Sequence, residues 1–585
     1  MKNNIKMHFL MSGIFILLFI VVNIFLSTTL FIFKISITKY NMIIALALSM
    51  LIMLFLLKRH KINIKCIKTI LIVFIIPILM IILSLFVNGK IRDFTFDGNT
   101  YHKATIGLLK EGWNPLYETS SEFDNSRKEK IYIENSSSEL WTDTYARASH
   151  IFQANAYALT GNIESGKSIN TLSILALFIV VLSYLSLRLN KVLFPLFFSI
   201  CVISSAINCA QYLTMYIDFF VYIYLVFLIL SFFIMEFSKT KEEKNIGLFI
   251  YILSLLMMIN IKFNSFAYAG LYCLAFYVYY IIKLKKGKLE KKFFIEFTCL
   301  SALTVIIGVF VIGLSVYPKN FVQNGNPFYP LYGENKVDII TNNQPEEFEG
   351  KGTLEKYFIS MFSQAANITK ASLEKTKYKI PFTFTYDELK AVKASDTRIS
   401  GNGVMFSGIF VLSLLLVLLL SKKVYKNNKK LFIICSITLG VSLFILLILS
   451  ESWWARYFPQ TYFLVLVSIL YLYVLHNKKT NVILGIFIIL VLINNFITFG
   501  CATGYSYLNN KSASEEVSLV KYNTDIDNDT ILIKSPLFIG AIYNIYRDLD
   551  GYNVIVLPRD SEEELTNPLM NGLINWKVVK NERLY

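Results

Sequence analysis

The chain has 585 residues, 55% hydrophobic and 17% charged, with a mean hydropathy of +0.53, well above ordinary globular usage. Apolar runs of about 20 residues recur from end to end, which excludes a mainly soluble enzyme and a disordered chain. A formal charge of +17 would suggest nucleic acid in a soluble protein, but here the Lys and Arg crowd into short loops between apolar runs, so no nucleic-acid partner is needed.

Hydropathy predicts an all-α polytopic membrane protein of about thirteen spans, near residues 9–33, 41–57, 67–87, 169–187, 192–210, 213–236, 246–261, 264–282, 293–316, 403–421, 431–450, 457–475 and 481–500. The first run follows Lys2 and Lys6, as a signal peptide would, but it is about 25 residues long and has no clear small-residue cleavage site, so it reads as a retained anchor. Alternate segments, counted from the N-terminus, hold 25 Lys and Arg, whereas the short loops on the opposite side hold only Lys34, Lys39, Lys262 and Arg456. By the positive-inside rule the N-terminus is cytoplasmic, and thirteen spans then leave the C-terminus outside the cell membrane. Two long loops, 88–168 and 317–402, and the tail 501–585 fall on that outer side. Residues 1–66 form an N-terminal pair of spans, 67–500 a core, and 501–585 a small α/β unit, with TILIK and YNVIVLP as strands and SPLFIGAIYNIYRDLD as the helix between them. No internal repeat is evident. The seven cysteines lie mainly in apolar runs, without CxxC spacing or a nearby His at ligand spacing, which argues against a disulfide framework or a zinc site.

The first long loop opens with IRDFTFDGNTYHKATIGLLKEGWNPLY, which sets Asp93 and Asp97 just past the outer end of the third span. NTYHKATIGLLKEGW is amphipathic at helical spacing, so it is expected to lie flat in the interface. Asp97 is then either a turn residue in an Asp-Gly loop or a general base at the lipid–water boundary. His102, in the same stretch, reads as solvated or structural. Asp218, a few residues inside CAQYLTMYIDFFVYIYLVF, is costly in lipid unless it is paired or faces a polar cavity. It is either a structural carboxylate between helices or a functional one. Lys262, at the outer junction of two spans, either snorkels toward headgroups or meets an anionic ligand. In ESWWARYFPQ the tryptophans read as interface anchors, and Arg456 either pairs with Glu451 or binds phosphate through its forked guanidinium. In the second long loop, YPKNFVQNGNPFYPLYG combines Asn-Gly and three prolines with aromatics suited to docking on the membrane surface.

Asp97, Asp218, Lys262 and Arg456 come from four different outer segments predicted at one membrane level, which implies a shared outward-facing cavity. Two cations there suit a phosphate, and a carboxylate suits taking a proton from an attacking hydroxyl.

FDGNTYH, the lone Lys262, NGNPFYPL and ARYFP, set on these spans, resemble the GT-C superfamily of membrane glycosyltransferases. The likeness is strongest to the branch of protein O-mannosyltransferases and of the bacterial enzyme that transfers aminoarabinose to lipid A. With the first two spans as an addition, the remaining eleven match that branch's core. The resemblance implies a polyprenyl-phosphate-linked sugar as donor and a cell-envelope glycan, lipid or protein as acceptor, joined by inverting displacement at the anomeric carbon on the outer face. It implies Asp97 as base, Lys262 and Arg456 as holders of the departing phosphate, and Asp218 as the residue orienting acceptor or cation. Some relatives carry an Asp-Glu dyad where this chain has Asp97 followed by Gly98, so Asp93 is the alternative base. A divalent cation is the one cofactor left open. The rival readings are a lipid-linked saccharide flippase, whose charges would be buried at mid-membrane, and a surface polysaccharide polymerase or ligase with its base in the second long loop.

Overall fold

The computed structural model describes residues 5–580 and is mostly helical, with a small C-terminal sheet. Residues 1–4 and 581–585, the ends of the expected N-terminal pair and C-terminal unit, lie outside the described residues. Among the described residues, eleven helices are long and apolar enough to cross a membrane. Those before the second long loop are α1 (Ile5–Ile32), α2 (Asn41–Arg59), α3 (Ile67–Asn88), α6 (Ile163–Leu189), α8 (Asp218–Phe237), α9 (Lys241–Ile261), α10 (Phe263–Lys285) and α11 (Lys291–Ile312). After it come α12 (Phe406–Asn427), α13 (Lys429–Ile448) and α15 (Lys478–Asn523). The two other expected spans are the shorter apolar helices α7 (Leu193–Ile203) and α14 (Pro459–Leu475). Each run keeps its backbone hydrogen bonds within the helix, as lipid requires. Large side chains such as Leu418, Leu419 and Phe310 remain exposed on the outer faces of the bundle.

Inside the bundle, polar side chains lock helices together. Ser173 bonds Tyr224 at 2.9 Å and Tyr272 bonds Ser442 at 2.7 Å. α1 is buried along most of its length, packs on α6, and is tied to the first-loop helix α5 (Ala148–Thr160) by Asn155, whose amide donates to Asn23 and Ser27, each at 2.8 Å.

The last span does not stop at residue 500. α15 is one helix of 46 residues, about 69 Å at 1.5 Å per residue, so it overshoots a bilayer core of about 30 Å and carries the tail with it. The tail folds as expected into an α/β unit of strands β1 (Asp529–Lys534), β2 (Asn553–Val556), β3 (Asn567–Leu569) and β4 (Ile574–Lys580), in the order β2-β1-β4-β3. β1 runs parallel to β2 and antiparallel to β4, and α16 (Ile542–Asp548) connects β1 to β2.

This unit shares one hydrophobic core with the first long loop, where Ile531, Ile542, Tyr543 and Ile545 pack with Ala104, Ile106, Leu108 and Trp113. The amphipathic stretch expected to lie flat in the interface is therefore differently placed. It forms a wide, π-helical turn over Gly98–His102 and the helix α4 (Lys103–Glu111), of which residues 103–109 are all buried beneath the tail. Apolar periodicity alone does not say whether a stripe meets lipid or protein, and here it meets protein.

Candidate functional site

The four charged residues predicted to share a cavity converge into one ion cluster. Asp97 immediately precedes the Gly98–His102 turn, Asp218 opens α8, Lys262 is the single extended residue between α9 and α10, and Arg456 lies in the turn between α13 and α14. Lys262 Nζ donates to Asp218 Oδ1 at 2.5 Å, and Arg456 Nη2 donates to Asp97 Oδ2 at 2.8 Å. Arg456 Nε lies 3.0 Å from Asp218 Oδ2 as an ion contact without hydrogen-bond alignment. The expected alternative of an Arg456–Glu451 pair is not what forms, since Glu451 accepts from Ser450 instead.

Burial grades the cluster. The side chains of Asp218, Lys262 and Arg456 are 0%, 5% and 9% exposed, whereas that of Asp97 is 18% exposed. Two cations and two carboxylates balance, as buried charges must. Aromatic rings close around the cations: Tyr216, Trp454 and Tyr457 lie 4.7, 5.3 and 5.6 Å from the Arg456 guanidinium, and Lys262 Nζ sits 4.4 Å from the Tyr457 ring. The tryptophans of ESWWARYFP are thus not interface anchors. Trp453 and Trp454 are each 3% exposed, and Trp453 packs edge-on against Phe348 of the second loop at 5.1 Å.

Gly98 explains how this chain differs from an Asp-Glu dyad. A Cβ at residue 98 would meet Asp93 Oδ2 at 2.0 Å and Thr95 Oγ1 at 2.5 Å, so the Asp93 carboxylate fills the space in which a side chain at 98 would begin. Asp93 is 2% exposed, and its oxygens accept from Thr95 N, Thr95 Oγ1 and Met215 N, each at 2.9 Å. It links the Asp97 turn to the strand of chain that leads into Asp218.

Several residues near the cluster were not singled out from sequence. Gln211 Nε2 donates to Asp218 Oδ2 at 3.2 Å and to the Ser395 carbonyl at 3.0 Å, tying the second loop to the cluster. Asp396 and Arg456 line a cavity of about 10 Å³, room for about one water. Burial pushes the Asp396 carboxyl above the usual carboxylate range, against the pull of Arg456 and Arg398. The second loop sits close here because residue 401 is Gly, whose Cβ would lie 2.5 Å from the Thr397 carbonyl and 3.1 Å from Ala455. His102 is not solvated. It is fully buried and its Nδ1 lies 2.6 Å from His150 Nε2. Burial pushes the His102 imidazole down to about 3 and that of His150 well below its usual value, so both are neutral at pH 7. In the YPKNFVQNGNPFYPLYG stretch Phe328 packs against Phe263 and Phe266 at 5.9 and 6.1 Å, beside Lys262, while Phe321, Val322 and Tyr332 stay exposed.

Both oxygens of Asp218 and Oδ2 of Asp97 are taken by Lys262 and Arg456, which leaves Asp97 Oδ1 as the single carboxylate oxygen of the pair free of an ion contact. Among the described residues no group of three His, Cys, Asp or Glu side chains converges at metal-holding distance. The donor set does not fit a metal. No family model matches the chain, and no curated protein or solved structure matches it significantly.

Proposed function

We propose that the protein is a polytopic glycosyltransferase of the cell membrane, moving a sugar from a polyprenyl-phosphate donor to a cell-envelope glycan, lipid or protein on the outer face. The supporting observation is the Asp97–Arg456–Asp218–Lys262 cluster, brought together from four distant segments at one end of the spans. Lys262 and Arg456 supply the positive charge that stabilises a departing phosphate. Asp97 is the most exposed of the four and so the carboxylate an acceptor hydroxyl can reach, to give up its proton as its oxygen attacks the anomeric carbon. Asp218, fully buried between the two cations, suits fixing them better than touching an acceptor.

In this reading donor phosphate replaces Asp97 as the partner of Arg456, freeing the base as the phosphate binds. The second loop, held over the cluster by Gln211 and seated through Gly401, lifts to admit the sugar. A thirteen-crossing, GT-C-like topology with the N-terminus inside suits this arrangement. Asn170 at the start of α6 bonds the Tyr212 and Thr214 carbonyls beside α8, so α7 has carried the chain back from the far end of α6. Against a flippase, the cavity between α6, α7, α8, α13 and α14 is lined by apolar side chains along its length, with Arg188 only at the end away from the ion cluster.

The test is transfer of radiolabelled sugar from a panel of polyprenyl-phosphate sugars by purified protein, with membrane lipids and wall polymers as acceptors. Wild type is expected to transfer and Asp97→Asn to lose about 10²- to 10⁴-fold, the usual contribution of a general base, with donor binding retained. No transfer by wild type from any donor, or full turnover by Asp97→Asn, overturns the assignment.

A further inference from the structure

A second site lies in the half of the bundle away from the ion cluster. A cavity of about 420 Å³ runs between α6, α7, α8, α13 and α14. Its lining on α8 extends from Val226 to Phe237, about 12 to 28 Å along the helix from Asp218 at 1.5 Å per residue. The walls are aliphatic and aromatic almost throughout.

The end nearer the cluster is stoppered. Tyr222 and Tyr462 pack edge-on at 5.9 Å, and their hydroxyls donate to the carbonyls of Val202 at 2.8 Å and Cys201 at 3.0 Å. The other end is polar and net cationic. Tyr184 and Arg188 line the cavity and also a smaller adjoining pocket with Lys239 and Glu243. Arg188 is 25% exposed and lies 3.9 Å from Glu243, a loose contact. The Tyr184 hydroxyl is buried and has no hydrogen-bond partner among the described residues, a state that costs about 1–3 kcal/mol and points to a missing acceptor.

We propose that this cavity is a phospholipid site: it takes one acyl chain of an anionic phospholipid from the leaflet at the Lys- and Arg-rich end of the bundle, with the headgroup on Arg188 and Lys239. The lipid supplies oxygen acceptors to the Tyr184 hydroxyl and negative charge to a mouth with two cations and one carboxylate. The cavity is of single-ligand size and stoppered below the cluster, so a long polyprenyl chain does not fit it. The site is independent of the sugar-transfer reading.

Native mass spectrometry of the full chain, delipidated in detergent and then offered phosphatidylglycerol, phosphatidylcholine or undecaprenyl phosphate at equal concentration, tests this. Wild type should retain one phosphatidylglycerol at least about 10-fold more readily than phosphatidylcholine. Arg188→Gln, a change at the surface, should erase that preference, and Leu470→Trp, which fills the cavity, should lose retention of both. Equal retention of the two phospholipids by wild type, preferred retention of undecaprenyl phosphate, or retention by Arg188→Gln unchanged from wild type overturns the proposal. An unchanged thermal midpoint for Arg188→Gln shows that its loss is not unfolding.

Discussion

Asp218 makes contacts that nothing else in the cluster can replace, because it neutralises both buried cations at once. Asp218→Asn keeps the size but leaves Lys262 and Arg456 with only the half-turned Asp97 between them. Removing one partner of a buried pair costs about 3–5 kcal/mol, so this variant is expected to lower the thermal midpoint sharply, whereas Asp97→Asn, at the open edge, lowers it little. Equal losses of stability from the two variants would put Asp97 in a structural role. The histidine pair gives a second expectation. Both imidazoles are neutral when folded, with His102 held near 3, while the unfolded chain takes up protons near 6.5. Their contribution is therefore complete above pH 6.5 and is lost as the pH falls, because only the unfolded state binds the proton. Between pH 6.5 and 5 the loss is about 2 kcal/mol for His102, and His150 acts in the same direction. The thermal midpoint of wild type should drop over that window, and His102→Gln/His150→Gln should flatten the drop; an equal slope in both proteins would show that the pair does not govern it.

The first loop and the tail act as one element. α4 lies beneath α16, and the contact is close because residue 107 is Gly: a Cβ there would meet the Tyr543 ring at 2.1 Å. Around this contact Lys103 Nζ donates to Asn544 Oδ1 at 2.8 Å and to the Asp93 carbonyl at 2.8 Å, while Arg92 reaches Asp548 at 2.8 Å. The tail thereby holds the turn that presents Asp97. Gly107→Ala is expected to cost about 1–3 kcal/mol by overpacking and to open the tail to limited proteolysis after Asn523. In a Tyr543→Ala background the same change should do no further harm, since the ring it strikes is gone; an additive loss would mean that residue 107 and Tyr543 do not meet. None of this pairing was legible in the sequence. The strands and helix of the tail were, because their apolar periods are local. That Leu108 and Ile106 turn toward Ile542 rather than toward lipid depends on a partner more than 400 residues away. The same limit hid Asp396 and Gln211, which reach the cluster, and His150, which meets His102, only through tertiary packing. Asp97, Asp218, Lys262 and Arg456 stood out because a charge beside an apolar run is conspicuous without any knowledge of its neighbours.

At the scale of the whole molecule, hydropathy and basic loops set which ends of the helices lie together, and the ion cluster depends on that arrangement. Among the described residues there are eleven long apolar helices and two short ones; eleven crossings or thirteen, both odd, would put the two chain ends on opposite sides. α14, with 17 residues, reaches about 26 Å, and the segments beside α7 lengthen its path. The basic surplus then predicts a direction: Lys283, Lys285, Lys286 and Lys288 lie at the end of α10 away from Lys262, and by the positive-inside rule such a loop is expected on the cytoplasmic side. In a background with the seven native cysteines replaced, Lys288→Cys and Asp560→Cys probe the two sides at exposed positions. A membrane-impermeant maleimide is expected to label Asp560→Cys in intact cells and Lys288→Cys only after permeabilisation. That outcome puts the ion cluster on the outer face, where a polyprenyl-linked sugar would meet envelope acceptors. The reverse pattern would turn the cluster to the cytoplasm and remove the outer-face reaction, because α4, which follows the Asp97 turn, shares a single hydrophobic core with the tail and must lie on one side with it.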